Sequence, residues 1–87
     1  MPTVWIPSLM QKLTDGEGQV EVNGSTVREV IENMDARFPG FRNRVCAEGE
    51  IKPNFAVAID GEISPEGLRR KVAPDSEVHF LPAMAGG

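Results

Sequence analysis

The residues best suited to chemistry are the two glycines that end the sequence. Gly86 and Gly87 follow a proline, two alanines and a methionine. Because glycine has no Cβ atom, the pair can pass through a channel too narrow for other residues. The extended segment 82–87 would reach about 20 Å. Since C-terminal carboxylates are groups that other proteins capture, the pattern predicts chemistry at the Gly87 carboxylate, whereas the alternative is a frayed terminus without function.

Other reactive side chains are few. His79 is the only histidine and Cys46 the only cysteine. A catalytic base needs a nucleophile and an orienting group within reach, and the sequence nominates neither. One cysteine and one histidine do not make a zinc site or an iron–sulfur centre. The carboxylates of Glu48 and Glu50 are expected in solvent. We therefore expect no catalytic residue, no metal and no bound cofactor.

Composition narrows the class of protein. The chain has 87 residues and a net charge of −4, which indicates one domain with a modest core. The acidic balance argues against a nucleic-acid partner. No run approaches the roughly 18 apolar residues of a membrane span. The N-terminal residues lack the pattern of a signal peptide. We expect no membrane partner and a cytoplasmic location.

The elements that must position the tail are mainly strands. β-rich, alternating segments predict strands at residues 3–6, 19–22, 55–59, 62–63 and 78–81. Asp60 and Gly61 predict a type I′ hairpin turn. Residues 8–14 and 47–50 are expected to be turn and loop, and residues 41–46 a short helical turn.

One amphipathic helix is predicted between the early and late strands. Thr26 and Glu29 have the spacing of a capping box, and Pro39 with Gly40 ends the helix. Its apolar stripe consists of Val27, Val30, Ile31, Met34 and Phe38. A lone amphipathic helix must pack on a sheet. The prediction is an α+β domain over residues 1–81, followed by a flexible tail over residues 82–87.

Residues 77–87, read Glu-Val-His-Phe-Leu-Pro-Ala-Met-Ala-Gly-Gly, resemble the ending of a known family. The family comprises ubiquitin-like sulfur carriers of the molybdopterin-synthase small-subunit and thiamine type. The Thr-Val-Arg-Glu-Val-Ile start of the helix at Thr26 and the Asp60-Gly61 hairpin add to the resemblance. It implies a β-grasp fold, with the first and last strands parallel at the sheet centre. Residues 74–77 depart from the family pattern, because Pro-Asp-Ser-Glu stands where many relatives have Gly-Asp before the acidic residue.

The resemblance also implies the chemistry. An ATP-dependent adenylating enzyme of the ubiquitin-activating type would join AMP to Gly87, and a sulfur donor would convert it to a thiocarboxylate. A sulfur-accepting synthase would then take the sulfur. Met84, Ala85 and Gly86 would thread into the partner's active site. The chain itself would be a stoichiometric carrier rather than an enzyme, while ATP, magnesium and any zinc belong to the partner.

A docking surface is implied at the last strand. Because side chains alternate along a strand, Val78 and Phe80 should face the helix while His79 and Leu81 point away. Leu81 matches the family position that packs on the partner enzymes, with Pro82, His79 and Met84 beside it. From the residues alone, Leu81 could equally close the sheet edge. We expect a monomer when the chain is alone and a heteromer with an enzyme.

Two other functions remain open. In the first, the chain is a protein modifier that forms isopeptide bonds to lysines through Gly87. In the second, it is a β-grasp interaction module whose terminus is incidental. The pathway is also open, because molybdopterin, thiamine, cysteine, siderophore and transfer-RNA thiolation systems all use such carriers. The ending favours a cysteine-type carrier, or one of unspecified pathway, over a thiamine one.

Overall fold

The computed structural model describes residues 1–63 and 65–82. Within them the elements follow one another as β1 (Thr3–Trp5), β2 (Gln19–Glu21), α1 (Val27–Arg37), α2 (Phe41–Val45), β3 (Cys46–Ala47), β4 (Glu50–Ile51), β5 (Phe55–Ile59), β6 (Glu62–Ile63) and β7 (Glu77–Pro82). Two 3₁₀ helices, Ser8–Thr14 and Gly67–Arg69, lie between strands. β3 and β4 form a small separate hairpin.

The main sheet is mixed, with the order β2-β1-β7-β5-β6. β1 and β7 run parallel at its centre, with Trp5 opposite His79. β5 runs antiparallel to β7, with Phe55 opposite Pro82. The chain between β2 and β5 carries α1, whose buried residues join the same core cluster as those of the sheet. A parallel central pair flanked by antiparallel strands and covered by one main helix is the predicted β-grasp fold.

The start of α1 is capped nearly as predicted. The hydroxyl oxygen of Thr26 accepts a hydrogen bond from the backbone N–H of Glu29 at 3.2 Å. The Glu29 carboxylate does not return the bond to Thr26, and accepts instead from the backbone N–H and hydroxyl of Ser25, each at 2.9 Å. These bonds, the backbone one first, lower the pKa of Glu29. The apolar stripe of α1 is buried as expected.

Two segments differ from the sequence prediction. Residues 8–14 form a 3₁₀ helix rather than an open turn. Residues 47–50, predicted as loop, close the β3–β4 hairpin, in which Ala47 lies opposite Glu50. The turn between them places Glu48 at φ 54° and Gly49 at φ 77°. A glutamate at positive φ is uncommon, and a strand of two residues is too short to show alternation. The sequence of this hairpin therefore contains no pattern that predicts it.

Candidate functional site

The last strand places alternate residues on opposite faces of the sheet. Val78 and Phe80 are buried in the core below the sheet. His79 is half-buried, and Leu81 is 39% exposed, although it lies on the central strand. β7 runs from Glu77 to Pro82, one residue longer at each end than predicted. The predicted alternation is therefore present, and Leu81 does not serve to close a sheet edge.

The face of the sheet opposite α1 is apolar near the end of β7. His79 stacks on Trp5, with ring centroids 5.6 Å apart and ring planes 3° from parallel. Directly opposed residues of neighbouring strands share a face. Register therefore places Ala58 beside His79 and Ala56 beside Leu81.

Ile63 completes this face. It lies opposite Ala58 on β6 and is 64% exposed. We call the set the open sheet face; it comprises Trp5, Ala56, Ala58, Ile63, His79 and Leu81. Ala56 is half-buried and Ala58 is buried, so the exposed apolar area of this face comes from Leu81 and Ile63.

Acidic residues occupy the opposite end of the same face. Thr3 lies between Glu21 and Glu77 in one row across β2, β1 and β7. Both glutamates are exposed. This row is two residues before the Trp5–His79 row on the parallel central strands. The apolar part of the face is thus the part nearest to the point where the chain leaves the sheet.

A carboxylate anchors the beginning of β7. Asp60 Oδ1 accepts a hydrogen bond from the backbone N–H of Glu77, and Oδ2 accepts one from the Ser76 hydroxyl, each at 2.9 Å. The Ser76 oxygen in turn accepts from the backbone N–H of Ala73 at 2.9 Å. These contacts hold the turn at residues 74–77, where the sequence departs from the family pattern. Asp60 and Gly61 have φ of 51° and 88°, which confirms the type I′ turn.

We expect Asp60→Asn to make unfolding easier at neutral pH and to remove part of the acid sensitivity of the fold. The Glu77 backbone N–H, and then the Ser76 hydroxyl, lower the pKa of Asp60 below its ordinary value of 3.8. A lowered folded-state pKa gives stability that is present above the ordinary value and lost as pH falls through the folded value. Asparagine tolerates positive φ, so the turn itself should persist.

Urea unfolding of the wild-type chain and of Asp60→Asn, from neutral pH to below pH 3.8, measures this difference. The two stabilities should converge at the acid end. Asp75→Asn, an exposed carboxylate in the same turn, is the matched control. If Asp60→Asn and Asp75→Asn gave the same pH dependence, the anchoring role of Asp60 would be wrong.

Cys46 lies away from the open sheet face. It is half-buried on β3 beside a cavity of about 320 Å³ that Arg28 and Arg42 also line. Burial raises the pKa of the Cys46 thiol, and the nearby cations oppose this only in part. A thiol that keeps its proton is a weak nucleophile, so Cys46 is not suited to nucleophilic chemistry.

Within residues 1–63 and 65–82, no group of three histidine, cysteine or acidic side chains is placed to hold a metal ion. In the same part of the chain, no helix has the length and apolar character needed to span a membrane.

The tail residues Met84, Ala85, Gly86 and Gly87 lie outside the described residues. The structure follows the chain to Pro82, which is half-buried and lies opposite Phe55. The described chain therefore ends on a residue that is still paired with β5, beyond the part of β7 that pairs with β1, at the apolar end of the open sheet face.

Four members of the open sheet face, Trp5, Ala56, Ala58 and Ile63, were not among the predicted site residues. Trp5 could have been found from the alternation of β1, because Val4 and Ile6 are buried and Trp5 must then point the other way. The orientation of Ile63 could not have been predicted in this way, because a strand of two residues is too short for alternation to indicate which side chain faces the core.

A β-grasp domain with an exposed apolar sheet face next to a terminal Gly-Gly segment defines a class of small ubiquitin-like proteins. Within this class the chain belongs to the ThiS family, whose model matches residues 4–87. It is 29% identical over 90 residues to the sulfur carrier protein CysO of Mycobacterium tuberculosis, covering 98% of this chain and 97% of that protein.

Two further proteins extend the comparison. A chain in the crystal structure of the Amycolatopsis orientalis BexX/CysO complex superposes with a TM-score of 0.92 at 33% identity, over the full length of both chains. The small archaeal modifier protein 3 of Haloferax volcanii is 28% identical over 65 residues, which is 72% of this chain and 71% of that protein.

Proposed function

We propose that this protein is a sulfur carrier whose Gly87 carboxylate is adenylated and then converted to a thiocarboxylate. The observation that carries the proposal is the course of β7, the central strand, which runs along the apolar end of the open sheet face to Pro82, five residues before Gly87 in the sequence. Membership in the ThiS family and the likeness to CysO over 98% of the chain support it. The protein acts in the cytoplasm as a stoichiometric carrier.

The reaction takes place in partner enzymes. A Gly87 carboxylate oxygen attacks the α-phosphorus of ATP, and pyrophosphate leaves. Hydrosulfide (HS⁻) then attacks the carbonyl carbon, AMP leaves with the electrons of the C–O bond, and the S–H proton is lost to solvent. The resulting thiocarboxylate is ionised at neutral pH and donates its sulfur to an acceptor on a synthase. ATP and magnesium are bound by the adenylating enzyme. This chain supplies only the carboxylate and the segment that brings it to that enzyme.

The open sheet face is the proposed docking surface. Leu81, at 39% exposed, and Ile63, at 64% exposed, present apolar area without a role in the core. His79 cannot turn freely because its ring lies flat against Trp5. A rigid apolar surface loses little side-chain entropy on binding. Pro82 follows this surface in the chain and precedes the tail. A partner that covers the open sheet face is therefore placed to bind residues Met84 to Gly87 as well.

A second function is supported by one relative. The likeness to small archaeal modifier protein 3 favours a protein modifier, in which a lysine amine, rather than sulfur, attacks the activated Gly87. Adenylation is common to both functions, and only the nucleophile differs. The match covers 71% of the modifier, against 97% of CysO, so the sulfur carrier is the function that we favour, with a cysteine-type pathway as the first to test.

The test is the intact mass of the protein after incubation with ATP, sulfide and a ubiquitin-activating-type enzyme from the same organism. We expect a gain equal to the replacement of one oxygen by one sulfur, and no gain when ATP is omitted. Lysine conjugates in an extract without added sulfide would favour the modifier. No mass change with several adenylating enzymes of that organism would refute the carrier and leave a plain interaction module.

A further inference from the structure

Leu9 is the most exposed large apolar side chain in the described part of the protein, at 77%. It lies in the 3₁₀ helix Ser8–Thr14, which joins β1 to β2. Single exposed leucines are common on protein surfaces. The exposure of Leu9 is informative because of how the segment is held and where it lies.

The segment Ser8–Thr14 is fixed to the domain by its other side chains. Met10 is buried and Leu13 packs against the core cluster. Thr14, which is also buried, donates a hydrogen bond from its hydroxyl to the Glu17 carbonyl at 2.6 Å. A 3₁₀ helix has about three residues per turn, so side chains three apart share a side. Met10 and Leu13 therefore point inward, while Leu9 and Lys12 form an outward ridge.

The ridge lies at the end of the domain from which the tail departs. β1 is parallel to β7, with Thr3 opposite Glu77 and Trp5 opposite His79. Residues that follow Trp5 are therefore at the same end of the sheet as residues that follow His79. The five residues after Pro82 can span about 17 Å when extended. An enzyme that holds Gly87 must then lie within about 17 Å of Pro82, and Pro82 is at the same end of the sheet as the segment that carries Leu9.

We propose that Leu9 and Lys12 are a second docking point for the enzyme that adenylates Gly87. Leu9 supplies the apolar contact of this docking point, and the exposed Lys12 supplies a positive charge beside it. Together with the open sheet face, this ridge lets the enzyme contact the domain on two sides of the tail. The inference rests on the proposed function, and it commits to the adenylating enzyme because activation of Gly87 is the step that carrier and modifier share.

The test is ATP–pyrophosphate exchange by the adenylating enzyme at varied concentrations of the carrier. For Leu9→Asp we expect KM to rise about tenfold or more, as for a truncated interface anchor, with kcat within about twofold of the wild type. Leu9→Met, which keeps the apolar volume, should restore the KM. Lys12→Glu should raise KM, whereas Lys71→Glu, the same charge change at an exposed site on another side of the domain, should not.

Each outcome bears on a separate part of the proposal. Thermal unfolding of Leu9→Asp should match the wild type, because the side chain is exposed, so a raised KM reports docking. A KM within twofold of the wild type would overturn the second docking point, as would a defect confined to the sulfur-accepting synthase. If the wild-type chain is not adenylated at all, the proposed function fails, and that result is visible without any variant.

Discussion

Removal of Gly86 and Gly87 is expected to abolish sulfur acquisition and leave the stability of the domain unchanged. The two glycines contribute no side chain to the core cluster, and residues outside the core usually change stability by less than about 0.5 kcal/mol. The truncated chain still ends in a carboxylate, but that carboxylate is two residues, or about 7 Å, short of the reactive centre. A misplacement of even 1 Å lowers rates about a hundredfold.

The measurement is intact mass after incubation with ATP, sulfide and the adenylating enzyme, together with urea unfolding of the same sample. Gly87→Ala is the matched control, because it keeps the length and the terminal carboxylate and adds only a Cβ atom. It should react more slowly than the wild type rather than not at all. A truncated chain that still gained sulfur would place the chemistry elsewhere than on Gly87, and full loss of folding would point to a structural role for the tail.

Phe80→Ala is expected to lower the free energy of unfolding by about 3–5 kcal/mol. Phe80 is 1% exposed and meets Phe41 edge to face, with ring centroids 5.3 Å apart and planes at 84°. Truncation leaves a cavity between the central strand and α2. Domains of this size have total stabilities near the lower end of about 5–15 kcal/mol, so the variant should be partly unfolded at room temperature. Urea unfolding followed by far-UV circular dichroism measures the loss.

Leu81→Ala is the matched control one residue along the strand. Leu81 faces away from the core, so we expect a stability loss of less than about 1 kcal/mol. If Leu81 docks on the partner, its truncation should instead raise the KM of adenylation, with little effect on kcat. Equal losses of stability for both variants would contradict the assignment of the two faces of β7, and an unchanged KM would remove Leu81 from the docking surface.

The pairing of β7 explains how a small domain can present its terminus reproducibly. β1 and β5 bond to β7 on its two sides, and Asp60 holds its first residue through the Glu77 backbone N–H. The strand therefore has little freedom to slip, since a shift by one residue would exchange Phe80 with Leu81 between core and solvent. The point at which the chain leaves the sheet is thus positioned by the core.

Much of the fold could be predicted because the relevant signals are local. The capping pair Thr26 and Glu29, the apolar stripe of α1 and the Asp60-Gly61 turn each depend on residues within a few positions of one another. The alternation along β7 is local as well, and it was sufficient to place Phe80 in the core and Leu81 on the opposite face. Where signals were weak, as in the β3–β4 hairpin with Glu48 at positive φ, the prediction was wrong.

The sequence by itself determined the reactive candidate at Gly87, the single main helix and the outward direction of His79 and Leu81. These features depend on residue types and on the side-chain period of a helix or strand, and both can be identified from residues close together in the chain. Only the tertiary structure decided that Trp5 stacks on His79 and that the segment carrying Leu9 lies at the end of the sheet where β7 ends. Both depend on the parallel register of β1 and β7, which joins residues more than 70 positions apart. Strand pairing at that separation is set by how the whole core packs, so no local pattern reveals it.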